Sequence, residues 1–253
     1  GRILEPSSGI GNFITNMPSN MSFNSKITAI EKDVITGNIL KALHDKVNVK
    51  IEGLENASVH DNSYDLVVSN IPFGNYSIFD ANFKADKMPF LKRIHKYFLA
   101  KSIDSVRDGG IVAIITSTGI MDSPGNADIR NYISDNTKFL GAVRLPNDTF
   151  KNNAGTEVVT DIIFLQKQKK ADNVNFLEVG EVPVADKNGI NNQVKLNKYF
   201  IDNPQNILGT IVSGKDLYSG DADASTVISN GTNIKDAIKK VLPIGVYQHG
   251  VFE

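Results

Sequence analysis

The sequence predicts an α/β fold in which helices cover both faces of a mostly parallel, doubly wound sheet. Short apolar runs alternate along residues 1–169 with segments whose apolar residues repeat at helical spacing. The run 64–69 is largely apolar, as expected for a strand that a parallel sheet buries on both faces. This alternation favours parallel strands joined by crossover helices.

The first half of the pattern contains four strands and two helices. Strands are predicted over residues 3–4, 26–30, 47–51 and 64–69. A weak helix over 12–20 is ended early by Pro18. A second helix over 34–44 follows Asp33, which stands in the N-cap position.

The second half begins with residues 75–89, a polar stretch whose length is typical of a functional loop. A helix over 91–107 is expected to stop at Asp108-Gly109-Gly110, and another covers 127–134. Strands are predicted over residues 111–116, 139–144 and 158–166. Because only a loop joins the last two strands, we expect an antiparallel strand at the edge of the sheet.

Near residue 169 the composition changes. The polar run Lys167-Gln168-Lys169-Lys170 is followed by sequence rich in Asn, Asp and Gly. We therefore predict two domains, residues 1–169 and a C-terminal extension of residues 170–253. Short strands around 175–184, a segment over 196–208 and a helix over 234–241 are expected in the extension. Because the chain opens almost on its first strand, we expect upstream sequence to be missing.

Composition excludes several kinds of site. Lys and Arg number 27 against 28 Asp and Glu, so any surface for DNA has to be local. The absence of cysteine excludes disulfides, thiolate zinc sites and cysteine nucleophiles. The histidines show no metal-ligand spacing, so no metal is expected. Without a membrane-spanning stretch or a signal peptide, the sequence predicts a soluble, cytoplasmic protein and no membrane partner.

The first candidate site is Glu5-Pro6-Ser7-Ser8-Gly9-Ile10-Gly11-Asn12-Phe13, directly after the first strand. Its glycines let a nucleotide-like cofactor approach the backbone, although they also suit a plain tight turn. Glu31 ends the next strand, where a carboxylate can accept both ribose hydroxyls of an adenosine. Glu5 would repel a pyrophosphate but suits an ammonium or sulfonium charge. These features favour S-adenosylmethionine over a dinucleotide.

The second candidate site is Asn70-Ile71-Pro72-Phe73, after the fourth strand. An aromatic amine is a poor nucleophile, so a site has to draw on its N–H groups. The Asn70 side-chain oxygen and the Ile71 carbonyl are two acceptors, and Pro72 holds Ile71 extended. Phe73 would stack on the base. A simple turn after a buried strand is the alternative, but the cluster shares a sheet edge with the glycine loop.

The remaining candidates are less specific. Glu55, after the third strand, suits either the exocyclic amine of adenine or exposure to solvent. Basic residues surround the long loop and would steer DNA, although such clusters are often solvated faces. They are Lys84, Lys87, Lys92, Arg93 and Lys96, with His95 among them.

These motifs resemble those of gamma-type N6-adenine DNA methyltransferases, especially the methyltransferase portion of helicase-methyltransferase proteins of mobile genetic elements. Residues 5–13 are similar to the cofactor motif and residues 70–73 to the catalytic Asn/Asp-Pro-Pro-aromatic motif. Further similar segments are residues 70–74, 94–102, 144–147, 154–158, 160–166, 199–204 and 208–210. The resemblance implies a Rossmann-like class I S-adenosylmethionine-dependent methyltransferase fold.

The resemblance also implies roles for individual residues. S-adenosylmethionine would be the methyl donor, and Asn70 with the Ile71 carbonyl would accept from the N6 amine of an extruded adenine in DNA. The implied cofactor-binding set is Glu5, Pro6, Gly9, Gly11, Phe13, Glu31, Glu55 and Asn70, and the implied catalytic set is Asn70, Ile71, Pro72 and Phe73. A helicase region of the same parent protein is an implied partner.

Two departures and two alternatives accompany this interpretation. Ile71 stands where the family usually has proline, and the segment that covers the methionine end of the cofactor is absent, so we expect weak cofactor binding. The same tetrapeptide would also hold a glutamine side chain or an RNA adenine. A module that binds cofactor or DNA without catalysis is the alternative from a different class.

Overall fold

A computed structural model describes residues 1–151, 158–168, 173–214 and 225–244. The predicted boundary near 169 and residues 154–157 of a similar segment lie outside the described residues. The strands are β1 (Arg2–Glu5), β2 (Lys26–Glu31), β3 (Asn48–Ile51), β4 (Tyr64–Asn70), β5 (Val106–Ser117), β6 (Thr137–Leu145), β7 (Thr160–Lys167), β8 (Val179–Ala185), β9 (Asn191–Asn197), β10 (Thr210–Ser213) and β11 (Ser225–Ile228).

The helices lie between these strands as an alternating fold requires. The α-helices are α1 (Asn12–Thr15), α2 (Ser19–Phe23), α3 (Val34–Leu43), α4 (Ile94–Ser105), α5 (Gly119–Asp122), α6 (Ala127–Asn136), α7 (Val174–Leu177), α8 (Lys198–Asp202) and α9 (Ile234–Val241). The 3-10 helices cover Ala85–Lys92, Pro124–Asn126 and Pro204–Asn206.

Seven strands form the main sheet in the order β3-β2-β1-β4-β5-β7-β6. Strand β1 pairs in parallel with β2 and β4, and the pairs β2/β3 and β4/β5 are also parallel. The sheet as a whole is mostly parallel with an antiparallel strand, which confirms the predicted fold class. The last two strands end the sheet with β7 inserted between β5 and β6, so β6 is the border strand.

Backbone contacts divide the described chain into two compact units. The first contains residues 1–115 and 164–168, and the second contains the remaining described residues. In the first unit, β1, β2 and α3 enclose an apolar core. Its buried members are Ile3, Ile14, Ile27, Ala29 and Leu40, with Met17, Val47, Val49, Leu66 and Val68 packed against them. This core holds the ends of β1 and β2 in place.

Two helix predictions need correction. The predicted helix 12–20 is two short helices, because Pro18 caps the second one with an extended ψ of 135°. The predicted stop at Asp108-Gly109-Gly110 is wrong, since α4 ends at Ser105 and those residues lie inside β5. Val106 pairs with Tyr64 of β4, and the next pair is Leu66 with Ile111. The register therefore shifts between these pairs, and residues 107–110 form an irregular part of β5.

The second unit contains two small antiparallel sheets, β8/β9 and β10/β11. A short helix, α7, occupies the start of the predicted strand region 175–184, and β8 follows it. The segment over 196–208 contains the end of β9, α8 and a 3-10 helix. The helix predicted over 234–241 is confirmed as α9.

Candidate active site

The two candidate motifs meet at the carboxyl edge of neighbouring strands. Strands β1 and β4 are parallel and adjacent, with Leu4 opposite Val67. The glycine loop after β1 and the tetrapeptide after β4 therefore leave the sheet at the same edge. The Ser69 hydroxyl donates a 3.4 Å hydrogen bond to the Ser7 carbonyl and so connects the two segments.

The glycine loop needs glycine at two positions for different reasons. Gly9 and Gly11 both have positive φ, at 54° and 86°. A Cβ on Gly11 would lie 2.5 Å from Leu40 Cδ1 of α3, whereas a Cβ on Gly9 would meet nothing within 4 Å. Gly11 thus allows the loop to pack against α3. Gly9 faces open space, where a ligand has room.

Glu31 fastens this loop to the end of β2. Its Oε2 accepts a 2.8 Å hydrogen bond from the Gly9 amide, and its Oε1 accepts one of 2.8 Å from the Asp33 amide. The sequence did not indicate this structural role. Because each carboxylate oxygen carries a further lone pair, the predicted contact with ribose hydroxyls is still chemically feasible.

Glu5 is a buried carboxyl group with an unsatisfied oxygen. Its side chain is at the end of β1, the residue is 1% exposed, and Oε2 has no hydrogen-bond partner among the described residues. Burial, together with the nearby negative charge of Glu31, raises the pKa of Glu5 from 4.5 to about 8. A cationic group beside Glu5 would stabilise the ionised carboxylate. The ammonium or sulfonium of S-adenosylmethionine fits this requirement.

The other predicted cofactor residues lie in the same unit. Pro6 is buried, and Phe13 is half-buried on α1. The Glu55 carboxylate is largely buried and accepts a 3.1 Å hydrogen bond from the exposed Lys32 ammonium. Glu55 therefore already has a cationic partner, and its contact with adenine stays a prediction.

The tetrapeptide presents two hydrogen-bond acceptors. Asn70 ends β4 and is exposed, and its side chain forms no hydrogen bond with another described residue. Ile71 is buried, and its amide donates a 3.1 Å hydrogen bond to Ile115 of β5. No described residue donates to the Ile71 carbonyl. Pro72 and Phe73 are half-buried. The backbone is therefore fixed while the acceptors stay available.

The sequence did not reveal that the long loop after this motif is anchored. Asp80 is buried, and its Oδ2 accepts hydrogen bonds from Tyr97 Oη at 2.8 Å and Lys101 Nζ at 3.0 Å. Burial alone would raise the pKa of Asp80, but these hydrogen bonds outweigh it and lower the pKa. Tyr97 and Lys101 are four residues apart on α4 and so share a face. That spacing was the signal available in the sequence.

The predicted basic residues do not all face solvent. Lys84 pairs with Asp61 at 2.7 Å, Lys87 pairs with Asp104, and Lys96 is buried. Lys92 and Arg93 are exposed. The described residues include no group of three or more His, Asp or Glu side chains arranged to hold a metal. Nor does any helix among them have the length and apolar character to cross a membrane.

Comparison with known proteins shows the family to which this chain belongs. The family model described as N-6 DNA Methylase matches residues 14–239, and members of this family use S-adenosylmethionine. Defense against restriction protein B of Escherichia phage P1 is 33% identical over 171 residues. That alignment covers 66% of this chain but 7% of the phage protein.

Solved structures share the fold. A class I S-adenosylmethionine-dependent methyltransferase from Listeria monocytogenes matches with a TM-score of 0.57 and 17% identity, over 68% of this chain and 55% of that one. A modification subunit of a type I restriction enzyme from Vibrio vulnificus YJ016 matches with a TM-score of 0.58 and 19% identity, over 68% and 41%. This chain spans about half or less of the length of the phage protein and of these two methyltransferase structures.

Proposed function

Since this chain belongs to the N-6 DNA methylase family, we propose that it transfers a methyl group from S-adenosylmethionine to the N6 amine of an adenine in DNA. The observation that carries the proposal is the meeting of two features at one sheet edge. One is the buried, unsatisfied carboxyl of Glu5, which suits a cation. The other is the unpaired acceptor side chain of Asn70 on the adjacent strand.

The cofactor would be held by the loops after β1 and β2. Glu5 would bind its positive charge, the open space at Gly9 would admit it, and Glu31 would accept its ribose hydroxyls. When bound, S-adenosylmethionine supplies an electrophilic methyl group attached to a sulfonium.

The protein's own contribution to the reaction is to prepare the amine. Asn70 Oδ1 and the Ile71 carbonyl would accept the two N–H groups and draw electron density toward the nitrogen. Pro72 would restrict Ile71 to an extended backbone and so orient its carbonyl, and the hydrogen bond from the Ile71 amide to the Ile115 carbonyl holds the preceding peptide, even though Ile71 replaces a proline. The proton can leave after attack, so no general base is needed. Phe73 would stack on an adenine extruded from the duplex.

The proposal is tested by measuring how fast the variant Asn70→Ala methylates DNA. We expect tritiated methyl incorporation into plasmid DNA to fall by at least roughly 100-fold, in the range seen when one transition-state hydrogen-bonding group is removed. The affinity for S-adenosylmethionine should fall much less, because Asn70 is one of eight residues in the implied cofactor-binding set. Asn38→Ala, an exposed asparagine of α3, is the matched control and should retain wild-type incorporation. Unchanged incorporation in Asn70→Ala would show that Asn70 is not catalytic.

The choice of acceptor distinguishes the related enzymes. RNA and a glutamine-containing protein should be offered beside DNA, because the same acceptors would hold an RNA adenine or a planar amide. Preference for RNA or protein would replace adenine in DNA as the substrate.

Ile71 favours a second candidate function, a module that binds DNA or cofactor with little catalysis. The isoleucine lacks the second fixed φ that a proline would add to the loop. A wild-type chain that binds S-adenosylmethionine and DNA but methylates no acceptor would support this candidate. We also propose that the chain acts in the cytoplasm as one part of a longer protein with a helicase region, as its resemblance to helicase-methyltransferase proteins implies. The phage relative is likewise much longer than the segment that aligns with this chain.

A further inference from the structure

Two aromatic side chains are exposed directly after the proposed base-binding motif. Phe79 is 78% exposed and Tyr76 is 51% exposed. Both lie within the loop 76–92, between Phe73 and α4. Single exposed apolar residues are common on protein surfaces and need no explanation by themselves. Tyr76 and Phe79 differ from such residues because their loop is anchored and follows the proposed base-binding motif.

The loop 76–92 is closed and anchored. At its base the Ile94 amide donates to the Tyr76 carbonyl at 3.1 Å, and the Ile78 amide donates to the Leu91 carbonyl at 2.8 Å. Asp80 fastens the interior of the loop to α4 through the two hydrogen bonds described above. The exposed aromatic rings therefore stand on a fixed backbone.

The loop also buries other aromatic residues. Phe83 and Phe90 are 8% and 7% exposed, and the Phe83 ring lies 5.2 Å from the Tyr97 ring in an edge-to-face arrangement. The loop thus has an apolar side that packs against α4, and Phe79 is not part of it. Phe79 is therefore exposed although the loop has buried aromatic residues of its own.

Tyr76 joins this surface to the proposed active site. A Cβ on Gly74 would lie 2.5 Å from Tyr76 Cε1, so the tyrosine ring covers the Gly74 backbone. Gly74 directly follows Phe73, the residue proposed to stack on the target base. The exposed aromatic surface is therefore continuous along the chain with the base-binding motif.

The charges at the base of the loop favour a polyanion. Lys92 and Arg93 are exposed, and neither forms an ion pair with another described residue. Because the Ile94 amide is bonded to the Tyr76 carbonyl, Arg93 lies one residue from the base of the loop. Aromatic faces next to cationic side chains are the combination that binds unpaired bases together with their phosphates.

We propose that Tyr76 and Phe79 form a stacking platform for unpaired DNA bases that flank the target adenine. The inference rests on the proposed function and extends it to the neighbouring nucleotides. Extruding a base costs stacking energy in the duplex, and an aromatic ring at the site can offset part of that cost.

The test compares DNA binding by Phe79→Ala and Phe23→Ala. Phe23, on α2, is 83% exposed and is the matched control. Binding of a fluorescent single-stranded oligonucleotide of roughly 20 nucleotides, longer than such sites, is followed by anisotropy. We expect Phe79→Ala to weaken binding roughly 5- to 100-fold, the effect of losing one base-stacking contact. Phe23→Ala should bind like the wild type, and neither variant should melt earlier.

Salt dependence separates stacking from charge. Phe79→Ala should keep the wild-type slope of log affinity against log salt, whereas Arg93→Ala should reduce it, because only the arginine neutralises phosphate. Photo-crosslinking to an oligonucleotide that contains 5-iodouracil should place adducts on Tyr76 or Phe79. Adducts confined to other residues would overturn the inference.

The outcomes distinguish this inference from the proposed function. If the wild type methylates DNA and Phe79→Ala binds and methylates equally well, the platform is wrong and the proposed function stands. That result would favour a protein partner as the ligand of the surface formed by Tyr76 and Phe79. If the wild type neither binds DNA nor methylates it, both are wrong.

Discussion

At the residue scale, Glu5 shows how the site is made ready for a cation. The carboxyl is buried at the end of β1, beside a second carboxyl, with one oxygen unsatisfied. Its folded-state pKa of about 8 lies above its ordinary value of 4.5, so the fold prefers the neutral form. This preference stabilises the protein below about pH 4.5, and the stabilisation is lost as the pH rises toward 8.

We therefore predict that Glu5→Gln stabilises the free protein at alkaline pH. The amide stays neutral where the carboxyl is forced to ionise, so Tm at pH 8.5 should rise by on the order of 3 °C over the wild type. At pH 5 the two proteins should melt within about 1 °C of each other. The proposed cationic ligand should bind the variant more weakly. An equal Tm difference at both pH values would contradict the assignment.

The glycines of the same loop give a second prediction at this scale. Gly11→Ala combines a positive φ with a contact to the buried Leu40, so we expect it to destabilise the protein by about 2–4 kcal/mol. Gly9→Ala has the strain without the contact and should lose only about 1 kcal/mol. Urea unfolding measures both.

For ligand binding, Gly9→Ala should have the larger effect, although it costs less stability than Gly11→Ala. Gly9→Ala places a methyl group in the open space proposed for the cofactor, so calorimetry should show weaker S-adenosylmethionine binding by this folded variant. Equal destabilisation by the two substitutions would show that the loop is not packed against α3 as described.

At the element scale, the loop 76–92 and α4 form one unit through Asp80. The carboxylate is fully buried, while the Lys101 side chain is 13% exposed, so the ion pair is largely shielded from water. Tyr97 adds a third partner, and the Asn82 amide donates to the other oxygen at 2.9 Å. Removing one member of such a cluster leaves the others buried without partners.

We predict that Asp80→Ala destabilises the protein by roughly 3 kcal/mol, because the Lys101 charge is left without its partner. Hydrogen exchange should accelerate across residues 76–94, where the loop is released. The control is Asp86→Ala, an exposed residue of the same loop, which should change stability by less than about 0.5 kcal/mol. Protection that is unchanged in Asp80→Ala would show that the loop is held by its apolar contacts alone.

At the scale of the whole molecule, a buried guanidinium joins distant parts of the second unit. Arg144 of β6 donates to both oxygens of Asp161 on β7 at 2.7 Å and to Asp122 of α5 at 2.7 Å. Its guanidinium also lies 4.3 Å from the Phe200 ring centre. Burial raises the pKa of Asp161 to about 6 although Arg144 opposes the shift. Four separated segments therefore share one charge cluster.

We predict that Arg144→Met costs roughly 3–5 kcal/mol at neutral pH, since it leaves the buried Asp161 without its partner. The double variant Arg144→Met/Asp161→Leu should recover part of that loss, because it removes the fully buried uncompensated charge and leaves only that of the partly exposed Asp122. Chemical denaturation of the two variants beside the wild type measures the difference. A double variant as unstable as the single one would contradict this explanation.

The positions of most elements could be predicted because they depend on local pattern. Strands β2 and β4, and helices α3 and α9, differ from the predicted bounds by a residue or less at each end. The end of α4 could not be predicted, because Asp108-Gly109-Gly110 resembles a helix stop. These residues instead lie inside β5, at the shift in register between β4 and β5. The predicted boundary near residue 169 and the functions of the site residues stay predictions.

The sequence by itself determined most of the order of strands and helices over residues 1–169, the two motifs and the family, because hydrophobic period and short motifs are local properties of the chain. Only the tertiary structure decided what the side chains of those motifs contact. It showed that Glu31 fastens the glycine loop, that Glu5 lacks a partner, and that Asp80 anchors the loop carrying Phe79. Such contacts join residues distant in the chain, so burial and partnership arise only once the sheet has formed.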